Sequence, residues 1–149
     1  MKNYFNHQYK KINKDLDIRL KRIFKNFNFI LGNEVKELEE KLEKLTKSRF
    51  VIGTSSGTDA LILALMAIKI KPNDEVITTP FSWISTAEAI KLVGAKPVYV
   101  DIDPQTFNID YDKIKKKITN KTRAILPVSL FGLPCDILKI RKIINKKNI

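Results

Sequence analysis

Apolar positions recur at helical spacing through the first part of the chain and then give way to short apolar runs that alternate with helical ones. Ile12, Leu16, Leu20 and Ile23-Phe24 lie close to one helical face. The stretch Asn26–Asn33 interrupts that pattern. Val35, Leu38, Leu42 and Leu45 then define a second amphipathic helix, whose charged face sets Glu37 before Lys41 and Glu40 before Lys44 in the favourable i,i+4 order. From Arg49 the period changes. Strand Phe50–Gly53 leads to helix Asp59–Ile70, and Pro72-Asn73-Asp74 turns the chain into strand Glu75–Thr79. Helix Ser85–Leu92 ends at Gly94, and strand Pro97–Val100 precedes a short helix near Tyr111–Ile118. Strand Arg123–Val128 and helix Asp136–Asn145 complete the alternation.

Four strands, each followed by a helix, predict an α/β fold with a mostly parallel sheet and helices on both faces. Val76-Ile77 and Val98-Tyr99-Val100 lack polar alternation, as strands covered on both sides do. No repeat beyond this alternation and no low-complexity linker is present.

The 149 residues suffice for one domain with a real core, and 44% hydrophobic content is ordinary for a soluble globular protein. No apolar stretch is long enough to span a bilayer, and the Lys-rich start leads into no signal-type apolar core. Cys135 is the single cysteine, which excludes an internal disulfide and fits a reducing cytoplasm. One cysteine and one histidine, His7, do not make a zinc site of the usual ligands.

A net charge of +12 raises nucleic acid as a partner. Of the 28 basic residues, however, 23 are Lys and five are Arg, whereas base readout and bidentate phosphate clamps favour Arg. The Lys residues are spread along the chain, as solvated helix faces would place them.

Open parallel sheets bind ligands at the carboxyl ends of their strands. Four groups of candidates fall there: Ser55–Asp59, Phe81-Ser82-Trp83, Asp101 with Asp103, and Ser129-Leu130-Phe131. The run Gly53-Thr54-Ser55-Ser56-Gly57-Thr58-Asp59 opens a strongly apolar helix. Free N–H groups in its first turn, the helix dipole and hydroxyl donors would suit a phosphate, with Gly57 permitting close approach. A Ser or Thr cap on an empty core helix has the same sequence. Trp83 offers a flat face for stacking on a planar ring, or packs a helix on the sheet. Asp101 and Asp103 fit a metal or acid–base pair, or a turn and helix cap. Ser129 has no general base nearby in sequence, so no nucleophilic triad is indicated.

Five pieces in register resemble the pyridoxal-phosphate-dependent sugar-nucleotide aminotransferases of the DegT–StrS type. They are Ser56-Gly57-Thr58-Asp59-Ala60-Leu61, Asp74–Pro80, Gly94–Asp103, Lys121–Gly132, and a beginning formed by Gln8–Ile12 and Phe29–Val35. The resemblance implies the N-terminal part of a fold-type-I large domain. It assigns residues 1–33 to an arm and helix and 34–149 to an incomplete cofactor-binding α/β domain. It implies pyridoxal 5'-phosphate as cofactor, with Gly57, Thr58 and Asp59 holding the phosphate and Trp83 stacking on the pyridine ring. It further implies a cytoplasmic homodimer that transfers an amino group, typically from glutamate, to a nucleotide-linked keto sugar for polysaccharide or glycoconjugate synthesis. The segment Pro127–Gly132 looks closest to members acting on UDP-linked N-acetylamino sugars with a 3-keto group.

Family members are more than twice as long. The Asp that pairs with the pyridine nitrogen and the Schiff-base lysine would lie beyond Ile149, so by this resemblance no catalytic residue is present and the chain alone is expected to be inactive. An uncovered sheet edge is expected to leave it marginally stable or aggregation-prone, against which a sharp cooperative thermal transition of a soluble monomer would count. Two other readings remain open from the residues. One is a basic nucleic-acid-binding α/β module; the other is a non-catalytic remnant that binds phosphate compounds or a partner chain through its sheet edge.

Overall fold

A computed structural model describes residues 2–144, with side chains from residue 5 onward. Contacts divide the chain into two units, Met1–Gly53 and Thr54–Ile149.

The first unit is helical. Helix α1 spans Lys2–Asn26 and α2 spans Asn33–Thr46, joined through the Asn26–Asn33 break. The apolar stripe expected on α1 forms, yet Tyr9, Ile12, Leu20 and Phe24 on it are exposed, and no residue of α2 is buried. Charge links the pair instead. The Arg22 guanidinium donates to Glu34 Oε1 from Nε at 3.0 Å and from Nη2 at 2.6 Å, and Arg19 Nη1 meets Glu37 Oε2 at 2.8 Å. Glu37 thus turns to α1, and these hydrogen bonds hold the Glu34 and Glu37 carboxyls below the usual carboxylate range. Such solvated pairs contribute little stability.

Phe50–Gly53, expected as the first strand, is not one. A strand requires a partner ladder, and this segment is not among the paired strands of the described residues. Two of its donors go to α2 instead: Val51 N–H donates to Glu43 Oε1 at 3.2 Å and Gly53 N–H to Glu39 Oε1 at 2.6 Å. The described sheet therefore has three strands rather than four.

The second unit is α/β. Helix α3 (Gly57–Ala67) is followed by β1 (Glu75–Thr78), α4 (Ser85–Leu92), β2 (Lys96–Tyr99), α5 (Tyr111–Lys117), β3 (Thr122–Ile125) and α6 (Ile137–Ile144). The strands are parallel in the order β2-β1-β3, with Ile77 level with Val98 and Ile125. β1 is central, so its residues are covered on both faces. Val76 points into a cluster with Leu65 of α3 and Ala89 and Ile90 of α4. Its neighbour Ile77 points the opposite way, onto Val100, Ile109, Ile114 of α5 and Ile140 of α6. Helices thus cover both faces, as the unbroken apolar strands predicted.

The ends of α3 and α4 set the position of the site. Gly94, past the end of α4, has φ +82°, which strains any side chain, and an added Cβ would crowd Pro72 at 3.3 Å. Its carbonyl accepts from Asn73 N–H at 3.1 Å, in the turn between α3 and β1. The C-terminal ends of both helices therefore meet at the amino edge of the sheet, and both N-termini lie toward the carboxyl ends of the strands. No helix among the described residues is long and apolar enough to cross a membrane.

Candidate functional site

Helix α3 begins where Ser56, with extended φ and ψ, caps it: Ser56 Oγ accepts from Asp59 N–H at 3.1 Å. The same hydroxyl donates to Asp59 Oδ2 at 2.8 Å, and Ser55 Oγ donates to that oxygen as well. These two hydroxyls, Ser55 first, hold the Asp59 carboxyl below the usual carboxylate range. The Asp59 N–H and both Ser hydroxyls are thus engaged with one another. Among the described residues the N–H groups of Gly57 and Thr58 and the Thr58 hydroxyl have no such partner. An added Cβ at Gly57 would meet nothing within 4 Å, so this helix start opens onto free space. Two unengaged donors at the positive end of an 11-residue helix, above an open cradle, suit an anion.

Because the Asp59 carboxyl is depressed in the folded chain, the stabilisation it gives is fully present above its unfolded pKa and is lost as pH falls through the folded value. Ser56→Ala is expected to lower stability by about 1 kcal/mol, the usual cost of an N-cap. It is also expected to move the Asp59 titration up toward the ordinary carboxylate range. Denaturant unfolding and a carboxyl NMR titration check both.

The loop after β1 carries Phe81, Ser82 and Trp83 into α4. Trp83 is 79% exposed; its carbonyl accepts from Thr86 N–H at 3.1 Å, and its indole borders a pocket of about 150 Å³. Thr79, Pro80, Ser82, Thr86 and Tyr99 also line that pocket, with Ser82 Oγ and Thr86 Oγ1 2.8 Å apart. Trp83 is therefore a free aromatic face at the carboxyl end of the sheet, and does not pack a helix onto it.

The acidic pair behaves differently. Asp103 Oδ1 accepts from Gln105 N–H, Thr106 N–H and Thr106 Oγ1 between 2.8 and 3.0 Å, which holds its carboxyl low and closes a turn. Asp101 Oδ1 accepts from Ile102 N–H at 2.9 Å. No group of three or more His, Cys, Asp or Glu able to hold a metal occurs among the described residues. Ser129 Oγ accepts from Cys135 N–H at 3.1 Å, and so pins its own loop.

Two of the candidates at the strand ends, Phe81 and Phe131, meet a third ring that the sequence pattern does not single out. Phe81 after β1, Phe107 after β2 and Phe131 after β3 converge, with ring centroids 6.0, 6.4 and 5.5 Å apart. Each follows a different strand, so only the strand order brings them together.

The model of the DegT/DnrJ/EryC1/StrS aminotransferase family matches residues 10–149. A Pseudomonas aeruginosa protein, UDP-2-acetamido-2-deoxy-3-oxo-D-glucuronate aminotransferase, is 43% identical over 143 residues, which is 96% of this chain and 40% of the relative. An Acidithiobacillus ferrooxidans UDP-N-acetyl-3-dehydro-alpha-D-glucosamine 3-aminotransferase is 43% identical over 128 residues, 86% of this chain and 35% of its own length. Among solved structures, S. venezuelae DesV superposes with a TM-score of 0.90 at 31% identity, covering 95% of this chain and 38% of that one. NtdA from Bacillus subtilis, with the cofactor PMP bound, gives 0.88 at 40% identity, covering 91% and 31%. The chain spans about 40% of the length of the P. aeruginosa relative.

Proposed function

Because this chain belongs to the DegT/DnrJ/EryC1/StrS aminotransferase family, we propose that residues 34–149 are part of a pyridoxal-phosphate-binding domain serving amino transfer to a keto sugar nucleotide. The observation that carries the reading is the pair of unengaged N–H groups at Gly57 and Thr58, above open space on the edge that also presents Trp83. The residues fit the group: the N–H donors of Gly57 and Thr58 are open to an anion, and Trp83 offers an uncovered ring face. When bound, the cofactor supplies the electron sink for amino transfer.

Gly57 and Thr58 would hold the phosphate, and the helix dipole adds positive potential there. Asp59 acts through the cap: it keeps Ser55 and Ser56 turned to itself and so fixes the backbone that presents the two donors. Trp83 would stack on the pyridine ring and keep it oriented. None of these residues is assigned as the nitrogen-pairing Asp or the Schiff-base lysine; their part is to bind and orient the cofactor.

The two UDP-sugar aminotransferases, each 43% identical, support a UDP-linked N-acetylamino sugar with a 3-keto group as the substrate of the whole protein. A Bacillus subtilis relative named 3-oxo-glucose-6-phosphate:glutamate aminotransferase, 45% identical over 118 residues, supports glutamate as donor. A cytoplasmic homodimer working in polysaccharide or glycoconjugate synthesis completes the proposal. Against a nucleic-acid module, three of the five Arg residues are engaged by carboxylates: Arg19, Arg22 and Arg123.

Trp83 is the only tryptophan and reports on the site directly. Pyridoxamine 5'-phosphate is the probe of choice, since its amine does not condense with surface lysines as the aldehyde would. It is expected to quench Trp83 fluorescence saturably, and pyridoxamine, lacking the phosphate, to bind at least about tenfold more weakly, as loss of charge-assisted donors predicts. Equal quenching by the two compounds would remove the phosphate cradle from the reading.

A further inference from the structure

We propose that Phe81, Phe107 and Phe131 form a stacking platform for the nucleobase of the sugar-nucleotide substrate; this rests on the reading above and assigns that substrate a second foothold. The three rings come from three different loops, all at the carboxyl ends of parallel strands, where such sheets bind ligands. Phe81 and Phe107 are stacked at 30°, and Phe131 stands edge-on to Phe107 at 90°. Phe131 is 77% exposed among the described residues.

Phe107 and Phe131 have φ of +58° and +56°, a left-handed conformation that non-glycine residues adopt only at a cost. A buried polar network keeps them there. Asn108, next to Phe107 and 3% exposed, accepts from Cys135 Sγ at 3.2 Å and donates to the Pro134 carbonyl at 3.4 Å. Cys135 N–H in turn donates to Ser129 Oγ. The loop carrying Phe131 is thereby tied to the loop carrying Phe107, and the rings are ordered before any ligand arrives. A preorganised, uncharged aromatic surface takes a flat, neutral ring at little entropic cost, and a nucleobase is the flat, neutral part of a sugar nucleotide.

The test uses the full chain with uridine 5'-diphosphate, pyrophosphate and pyridoxamine 5'-phosphate as probes. Saturation-transfer NMR on the uracil protons is expected to show ring contact. Phe131→Ala is expected to weaken uridine diphosphate about tenfold, within the range for one lost stacking partner. Pyrophosphate and pyridoxamine 5'-phosphate should bind as before. Phe131→Tyr, which keeps a ring, should retain wild-type affinity. Uridine diphosphate binding no tighter than pyrophosphate, or unaffected by Phe131→Ala, overturns the platform while leaving the cofactor site standing if pyridoxamine 5'-phosphate still binds. Ring contact with Phe131 dependence but no pyridoxamine 5'-phosphate binding keeps the platform and removes the cofactor reading. Burial of Phe131 against a second copy, seen as concentration-dependent protection with no uridine diphosphate effect, also overturns it.

Discussion

Gly57→Asp leaves the chain folded and lowers its affinity for pyridoxamine 5'-phosphate by about a hundredfold or more. The position is the first residue of α3, its backbone is not in a glycine-only conformation, and an added Cβ meets nothing within 4 Å. A carboxylate there is favourable for the helix, because it faces the positive end of the dipole. For a phosphate the same carboxylate is a like charge a few ångströms away, worth several kcal/mol at the effective dielectric of a protein surface. Stability and binding therefore move apart: thermal unfolding holds or rises slightly while the titration fails. Parallel loss of both would mean that Gly57 serves the fold alone.

Ile77→Ala acts on the other side of the balance. Ile77 is 0% exposed in the central strand and contacts the cluster of Val100, Ile109, Ile114 and Ile140. Truncating it removes transfer energy and leaves a cavity between β1, α5 and α6, at a cost of about 2–5 kcal/mol. Against a total of roughly 5–15 kcal/mol for an ordinary domain, that is a large share. Urea unfolding should show the midpoint falling with little change in slope. A loss below about 1 kcal/mol would mean that the sheet does not organise this core.

Much of this architecture is legible in the residues because the signals at both ends of each element are local. Helix α4 occupies Ser85–Leu92 as the pattern predicts, bounded by the loop after Pro80 and by Gly94, whose positive φ no other residue would take cheaply. The failure at Phe50–Gly53 is equally instructive. Three apolar residues, two of them β-branched, look like a buried strand, but a strand is defined by its neighbours. Glu39 and Glu43, which the helical pattern assigns to a solvated face, take the donors instead. At the site, the Ser56 cap and the exposed Trp83 follow from their places at element junctions. The engagement of Asp59 with two serines resolves which backbone donors stay open, and spacing alone does not show it. Phe107 and Asn108 carry no signal in the linear pattern because their partners lie across β2-β1-β3, an order that it does not encode.

The most direct measurement is the amide NMR spectrum of the chain as pyridoxamine 5'-phosphate is added. The account predicts that the largest saturable shifts fall on the Gly57 and Thr58 N–H groups, with the Trp83 indole N–H moving over the same concentration range. Shifts confined to lysine-rich surfaces such as Lys115–Lys117, with Gly57 and Thr58 unmoved, would contradict it.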